Sequence, residues 1–173
     1  MIVSKNYFNK SFVILGLGRS GTALAESLTQ SGAKVLVWDD NPDVLLEACK
    51  RGFEAFNWSK KGRWEGIDIL LVSPGVPFLH PKPHDIILEA LNAQVPIDND
   101  IGLFFSILET TKKNFKVPPK VIAVTGSNGK STTSSLIHHI LGEAGITTQF
   151  GGNIGLGVFD LKPVQNDEVI VLE

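Results

Sequence analysis

The sequence is poor in the residues that would announce several chemistries. One cysteine, Cys49, occurs in 173 residues, so no disulfide can close within the chain and a reducing compartment is the natural setting. No metal-binding or nucleophilic partner is spaced near Cys49, which is expected to be a small apolar residue on a helix. There is no surplus of charge of one sign. The formal net charge is −2, so nothing argues for a nucleic-acid surface, and any phosphate binding must be local. No apolar run approaches the roughly 20 residues that span a bilayer. Met1-Ile2-Val3-Ser4-Lys5-Asn6 lacks the apolar core and small-residue cleavage site of a signal peptide. A cytoplasmic monomer without membrane insertion is the expectation. Internal repeats and low-complexity stretches are absent as well. What remains is a globular composition, 43% hydrophobic and 20% charged, at a length suited to one ordinary domain or a small domain with part of another.

Strand-like and helix-like segments alternate along the chain. Phe12–Leu15, Lys34–Trp38, Ile67–Val72 and Val95–Ile97 have the short apolar character of strands. Thr22–Gln30, Asp43–Arg51, Asp85–Ala93 and Ile101–Leu108 carry helical spacing, with Gly32 and Gly52 placed to stop the first two and Pro42 suited to open the second. In the third, Ile86, Leu88, Ala90 and Leu91 are expected to face inward. This order predicts an α/β fold with a parallel sheet and right-handed crossovers. Residues 110–119 are polar, basic and end in Pro118-Pro119, the composition of a linker between a domain at 1–109 and a second at 120–173. The second contains a strand from Lys120, a helix from Lys130 to about Leu141 with Leu136, Ile137, Ile140 and Leu141 inward and Gly145 at its end, a strand at Ile146–Phe150, and a last strand at Val169–Leu172. So few strands hardly bury both faces of a parallel sheet. Either this domain is partial, or its strands extend the first sheet.

Two glycine-rich loops carry the chemistry. Gly16-Leu17-Gly18-Arg19-Ser20-Gly21 follows a strand and opens a helix, which is the pattern of a dinucleotide fingerprint, and Asp39 closes the next strand where an acid would meet a ribose. Taken alone, the motif fits a nicotinamide dinucleotide, another nucleotide, or a tight turn with no ligand. Ser73-Pro74-Gly75 ends the third strand, so three strand ends converge on one crevice, although the tripeptide by itself is equally a rigid turn. The second loop, Thr125-Gly126-Ser127-Asn128-Gly129-Lys130-Ser131-Thr132, follows the apolar Val121–Val124. Glycines allow backbone N–H groups to close around phosphate oxygens, the lysine neutralises charge, and the next hydroxyl can ligate Mg²⁺. The usual spacing asks for glycine at position 124, which is Val124 here, with Gly126 inside the loop instead.

Together these segments resemble the Mur ligases of peptidoglycan synthesis. Thr125–Thr132 is similar to the family's ATP loop, Gly151-Gly152-Asn153-Ile154-Gly155-Leu156 to the loop that follows it, and Val171-Leu172-Glu173 to the strand delivering a metal-binding glutamate. Gly16–Gly21, and Ser73–Val76 with His80-Pro81, resemble the D-glutamate-adding branch of the family. The resemblance implies a Rossmann-like first domain that binds a UDP-sugar, followed by the start of a P-loop-type central ATPase domain. It places Gly18, Arg19 and Ser20 by the UDP-sugar phosphates, Asp39 and Asp40 near the uracil, Ser73, Pro74 and Gly75 at the muramoyl end, and Asn153 on the substrate. Gly126, Ser127, Asn128, Gly129, Lys130, Ser131 and Thr132 would hold ATP, with Lys130 as the catalytic cation and Ser131 and Glu173 on Mg²⁺. The implied reaction phosphorylates the carboxylate of UDP-N-acetylmuramoyl-L-alanine, and the amine of D-glutamate then displaces phosphate. Family members often carry a basic residue where Asn41 stands.

Bland readings sit beside these. Glu173 could be a charged strand end, His80 and His84 lie in a Pro-rich loop, and His138 and His139 lie on a helix with no carboxylate partner in view. The L-alanine-adding ligases, a nicotinamide-dinucleotide-binding module and a regulatory nucleotide-binding domain remain alternatives. Family members carry a fuller central domain and a third domain, so a chain of this extent is expected to bind UDP-sugar without completing ligation.

Overall fold

The computed structural model describes residues 1–60, 62–80, 82–153 and 156–173. The chain divides into two compact units: Val3–Leu103, and Phe104–Glu173 together with Met1–Ile2.

The Val3–Leu103 unit is built on β1 (Ser11–Leu15), α1 (Arg19–Gln30), β2 (Lys34–Trp38), α2 (Pro42–Lys50), β3 (Glu54–Ala55), β4 (Ile69–Val72), α3 (Asp85–Asn92) and β5 (Ile97–Asp98), with α4 (Asp100–Thr111) beginning at its end. The five strands form one parallel sheet in the order β3-β2-β1-β4-β5. Successive strands run outward from β1 in one direction and then from β4 in the other, so the topology reverses between β1 and β4. Register makes the reversal useful. Leu15 pairs with both Trp38 and Val72, and Leu71 pairs with Asp98. The loops starting at Gly16, Asp39, Ser73 and Asn99 therefore leave the sheet at one level. Phe12, Val13, Ile14, Leu70 and Leu71 are fully buried, as strands covered on both faces must be.

Local chemistry explains most element boundaries. α2 begins at Pro42 behind an Asn41 side chain that accepts from Asp43 N–H, as the sequence predicts. Helix α1 starts at Arg19, three residues before the expected Thr22, because Gly18 itself is the N-cap. In α3 the expected inward face is rotated: Ile86, Ile87 and Ala90 are buried, whereas Leu88 and Leu91 are 43% and 56% exposed. Three consecutive apolar residues fit two helical phases, and packing on the cluster of Val13, Leu15, Phe56 and Val72 selects the one led by Ile86 and Ile87. The two-residue β3, unsignalled by any apolar run, carries the chain into the fully buried Phe56.

The second unit holds β6 (Lys120–Ala123), α5 (Lys130–Glu143), β7 (Thr148–Gly151) and β8 (Val169–Leu172). These three strands form a separate parallel sheet, ordered β6-β8-β7, and so do not extend the first. β8 is buried along its whole length. Gly145 ends α5 as expected, with its N–H on Gly142 O and that of Ile146 on Leu141 O. The inward face of α5 departs from expectation. Ile137 and Leu141 are half-buried, but Leu136 and Ile140 are 55% and 56% exposed. The buried Ser134 sets the phase: with Ile137, His138 and Leu141 it forms an i, i+3, i+4, i+7 stripe, which leaves Leu136 and Ile140 on the other side. His138 stacks on Phe150 of β7, ring centroids 5.7 Å apart.

Candidate functional site

In the first unit the crevice at the carboxyl ends of β1, β2 and β4 is held together by short polar contacts. Ser73 Oγ donates to the carbonyl of Gly16 at 2.7 Å. One oxygen of Asp39 accepts from Leu17 N–H at 2.7 Å and the other from Asn41 N–H at 2.9 Å. Thr22 Oγ1 donates to Leu17 O at 3.0 Å. Gly21 is required by close approach, since a Cβ there would fall 1.9 Å from Gly16 O and 2.5 Å from Ser73 Oγ. Around Gly18, in contrast, a Cβ would meet nothing within 4 Å. The glycine at 21 shapes the loop, and the one at 18 leaves its outer surface open to a ligand.

Gly18 is the N-cap of α1 with no side-chain cap, and Arg19 and Ser20 form the first turn. A helix N-terminus left uncapped and facing a glycine loop offers N–H groups and partial positive charge to an anion. The other three helices that start at this edge are closed: Asn41 caps α2, His84 caps α3, and Asn99 Oδ1 accepts from Gly102 N–H at the start of α4.

Asp40 and Asp39 sit side by side in the sequence and do different things. Asp39 braces the backbone. Asp40, with a side chain 70% exposed, accepts from Trp38 Nε1 at 3.0 Å and contacts His84 Nε2 at 2.8 Å. Its partial burial raises the carboxyl pKa, but the hydrogen bonds from His84 and Trp38 outweigh this and hold it below the ordinary aspartate value. His84, in sequence a loop histidine without a partner, is the residue that sequence reasoning missed. The available signal was its position directly before the Asp85 helix start, where an N-cap is needed.

Ser73 is buried and Pro74 and Gly75 are exposed. All three line a cleft of ≈ 370 Å³ shared with Phe78, Asp98 and Asp100, a volume suited to part of a small-molecule ligand. Burial raises the pKa of Asp100, against the opposing bonds from the Ile101 and Asp100 N–H groups. The structure thus brings Gly18, Arg19, Ser20, Asp39, Asp40, Ser73, Pro74 and Gly75 to one sheet edge. Asn153 belongs to the second unit.

In that second unit, residues 125–129 form an exposed loop between β6 and α5. Gly129 is the N-cap of α5 in the left-handed conformation, again without a side-chain cap. Lys130 Nζ donates to Gly126 O at 2.9 Å, across the mouth of the loop. Ser131 and Thr132 follow in the first helical turn, beyond the exposed Ser127 and Asn128. The 151–153 segment clasps Glu173: Glu173 N–H donates to Gly151 O at 3.0 Å and Glu173 O accepts from Asn153 N–H at 3.1 Å. A Cβ on Gly152 would lie 2.5 Å from Glu173 O. Ile154, Gly155 and Pro81, which belong to the sequence motifs, lie outside the described residues.

Glu173 Oε2 is buried with no hydrogen-bond partner. An orphaned buried carboxylate oxygen fits a cation ligand. Among the described residues no group of three or more His, Cys, Asp or Glu could hold a metal. One carboxylate and one hydroxyl, Glu173 and Ser131, instead suit Mg²⁺, which is held by few protein oxygens together with phosphates and water.

Comparison with known proteins adds the lineage. Residues 12–60 match the family model of the TrkA-N domain. Over 174 aligned positions, 100% of the chain, it is 48% identical to a UDP-N-acetylmuramoylalanine–D-glutamate ligase of Cereibacter sphaeroides and 49% identical to one of Ruegeria pomeroyi. A ligase of the same name from Jannaschia sp. is 49% identical over 96% of the chain. The chain spans about 37% of the length of the first two and about 36% of the third. A solved shikimate dehydrogenase from Aquifex aeolicus is 16% identical, with a TM-score of 0.44, covering 62% of this chain and 48% of that one. At this sequence identity across its whole length, the chain is similar to the portion it spans of proteins named UDP-N-acetylmuramoylalanine–D-glutamate ligase.

Proposed function

We propose that the Val3–Leu103 unit binds the UDP-sugar of a peptidoglycan-precursor ligase and that the second unit contributes its ATP loop. The observation that carries this reading is the identity of about half of all residues to ligases of that name. The uncapped helix starts at Gly18 and Gly129 support it, each suiting a phosphate group. In the complete reaction ATP phosphorylates the carboxylate of UDP-N-acetylmuramoyl-L-alanine, and the D-glutamate amine attacks the acyl phosphate, forming the amide and expelling phosphate. Lys130 supplies positive charge to the transferring phosphoryl group, where electrostatic stabilisation is the main catalytic task. Ser131 and Glu173 hold Mg²⁺, which neutralises phosphate charge when bound. Gly18, Arg19 and Ser20 take the UDP-sugar diphosphate, Asp39 and Asp40 border the uracil, Ser73–Gly75 border the muramoyl end, and Asn153 contacts substrate. We place the domain junction at 110–119 and the compartment in the cytoplasm.

The names of the relatives favour D-glutamate over L-alanine as the added amino acid. The test is ligand choice. UDP should raise the thermal midpoint of the chain and NAD should not; protection by NAD alone overturns the reading. The chain by itself should release no phosphate from ATP in response to UDP-N-acetylmuramoyl-L-alanine and D-glutamate.

A further inference from the structure

The 73–84 loop crosses three strand ends. It leaves β4 at Ser73, which bonds Gly16 at the end of β1. Val76 then passes over Gly16, so closely that a Cβ there would lie 2.9 Å from Val76 Cγ2. The loop closes on itself where His84 N–H donates to Pro77 O at 3.1 Å. It finally reaches Asp40, after the end of β2, through the His84 ring.

That ring does two jobs. Nδ1 accepts from Ile86 N–H at 3.1 Å and so caps α3. With Nδ1 acting as acceptor, the neutral imidazole carries its proton on Nε2. Nε2–H therefore donates to Asp40 Oδ2 at 2.8 Å. The His84 side chain is only 15% exposed, whereas that of Asp40 is 70% exposed. A nearly buried donor, fixed by a helix cap, grips a carboxylate that faces solvent. Trp38 Nε1 holds the other oxygen. Each oxygen keeps a free acceptor position, and both now point in fixed directions.

We propose that His84 is a positioning residue that sets the Asp40 carboxylate to read a ring N–H of a nucleobase, so that it selects uracil over cytosine. The proposal rests on the reading of this unit as a UDP-sugar site. A carboxylate only accepts, and uracil offers a ring N–H where cytosine offers a lone pair. Discrimination of this kind requires the carboxylate to be fixed, since a freely rotating one could turn from the ring position to accept from the exocyclic amine of cytosine.

The experiment separates the two jobs of the ring. Asparagine is a strong N-cap but too short to reach Asp40, so His84→Asn keeps the α3 cap and removes the grip, whereas His84→Ala removes both. UDP and CDP are titrated separately against the wild-type chain and both variants, followed by tryptophan fluorescence, with thermal midpoints measured alongside. The expected result is a near wild-type midpoint for His84→Asn, a lower one for His84→Ala, and in both a loss of about tenfold in UDP affinity, the size of one charge-assisted hydrogen bond, with CDP affinity little changed. If His84→Asn keeps the wild-type preference for UDP, or loses UDP and CDP affinity by the same factor, the positioning role is overturned while the UDP site stands. If the wild-type chain binds no UDP, the underlying reading fails and this proposal fails with it.

Discussion

Ser73 Oγ lies 2.7 Å from the carbonyl oxygen of Gly16, and the Cβ that Gly21 lacks would fall 2.5 Å from the same hydroxyl. The three residues are one interlocked contact between the first loop, the first helix and the end of β4. Gly21→Ala should destabilise the chain by about 3 kcal/mol, because the methyl group meets backbone carbonyl as well as the hydroxyl and neither can withdraw cheaply. Ser73→Ala should cost about 1 kcal/mol, the net value of one hydrogen bond. Urea unfolding curves measure both, and a wild-type midpoint for Gly21→Ala would contradict the close packing.

Asp39→Asn places an amide NH₂ against one of two N–H donors, since only its carbonyl oxygen can still accept. The expected cost is about 1–2 kcal/mol, together with weaker UDP binding as the Gly16–Gly21 loop loosens. Asp39→Glu should not restore either, because the longer side chain moves both oxygens away from Leu17 and Asn41. Equilibrium unfolding and UDP titration of the two variants provide the comparison.

Asp100 gives a pH signature. Burial raises its folded-state pKa above the unfolded value, so its contribution to stability is fully present below the ordinary aspartate range and is lost as pH rises through the raised value. Ionising this carboxylate is therefore a burden on the fold. Asp100→Asn keeps an acceptor for Ile101 N–H and should raise the midpoint at pH 7 while flattening its fall as pH rises above the ordinary aspartate range. A fall in the midpoint at pH 7 would show that the carboxylate is worth more as a helix-start anion than it costs in desolvation.

Gln94 occupies a left-handed conformation, φ 58°, after α3. Its N–H bonds Leu91 O and that of Val95 bonds Ala90 O, the same closure that Gly145 makes after α5. Gln94→Gly should stabilise the chain by about 0.5–1 kcal/mol by relieving the Cβ penalty of that conformation. The gain should appear as a higher urea midpoint with an unchanged slope.

The Lys130 ammonium donates to Gly126 O in an exposed loop. Lys130→Ala should shift stability by no more than about 0.5 kcal/mol and weaken Mg–ATP binding by about tenfold or more. Calorimetric titration of the chain with Mg–ATP measures this, and equal affinity in the variant would remove Lys130 from the phosphate site.

Much of this was legible in sequence because it is local. Phe12–Leu15 and Val35–Trp38 are continuous apolar runs, and the two glycine loops sit between strand and helix where the structure has them. Helix phase was less legible. Ile86-Ile87-Leu88 in α3, and the doublets Leu136-Ile137 and Ile140-Leu141 in α5, each fit two faces, and only the sheets beneath decide between them. The bond between Asp40 and His84 joins residues 44 apart, a distance at which no periodicity or spacing rule operates.

The order β6-β8-β7 carries a consequence for timing. β6 and β7 never touch within the ladder; each pairs only with β8, which is made after both. Until Val169–Leu172 insert, Val124 N–H has no Leu172 carbonyl to bond and Gly151 O has no Glu173 N–H. The frame of the 125–132 loop and the placement of its glutamate therefore depend on one and the same pairing event, the insertion of β8 between β6 and β7. A single substitution that weakens β8 should therefore loosen the loop and displace the glutamate together.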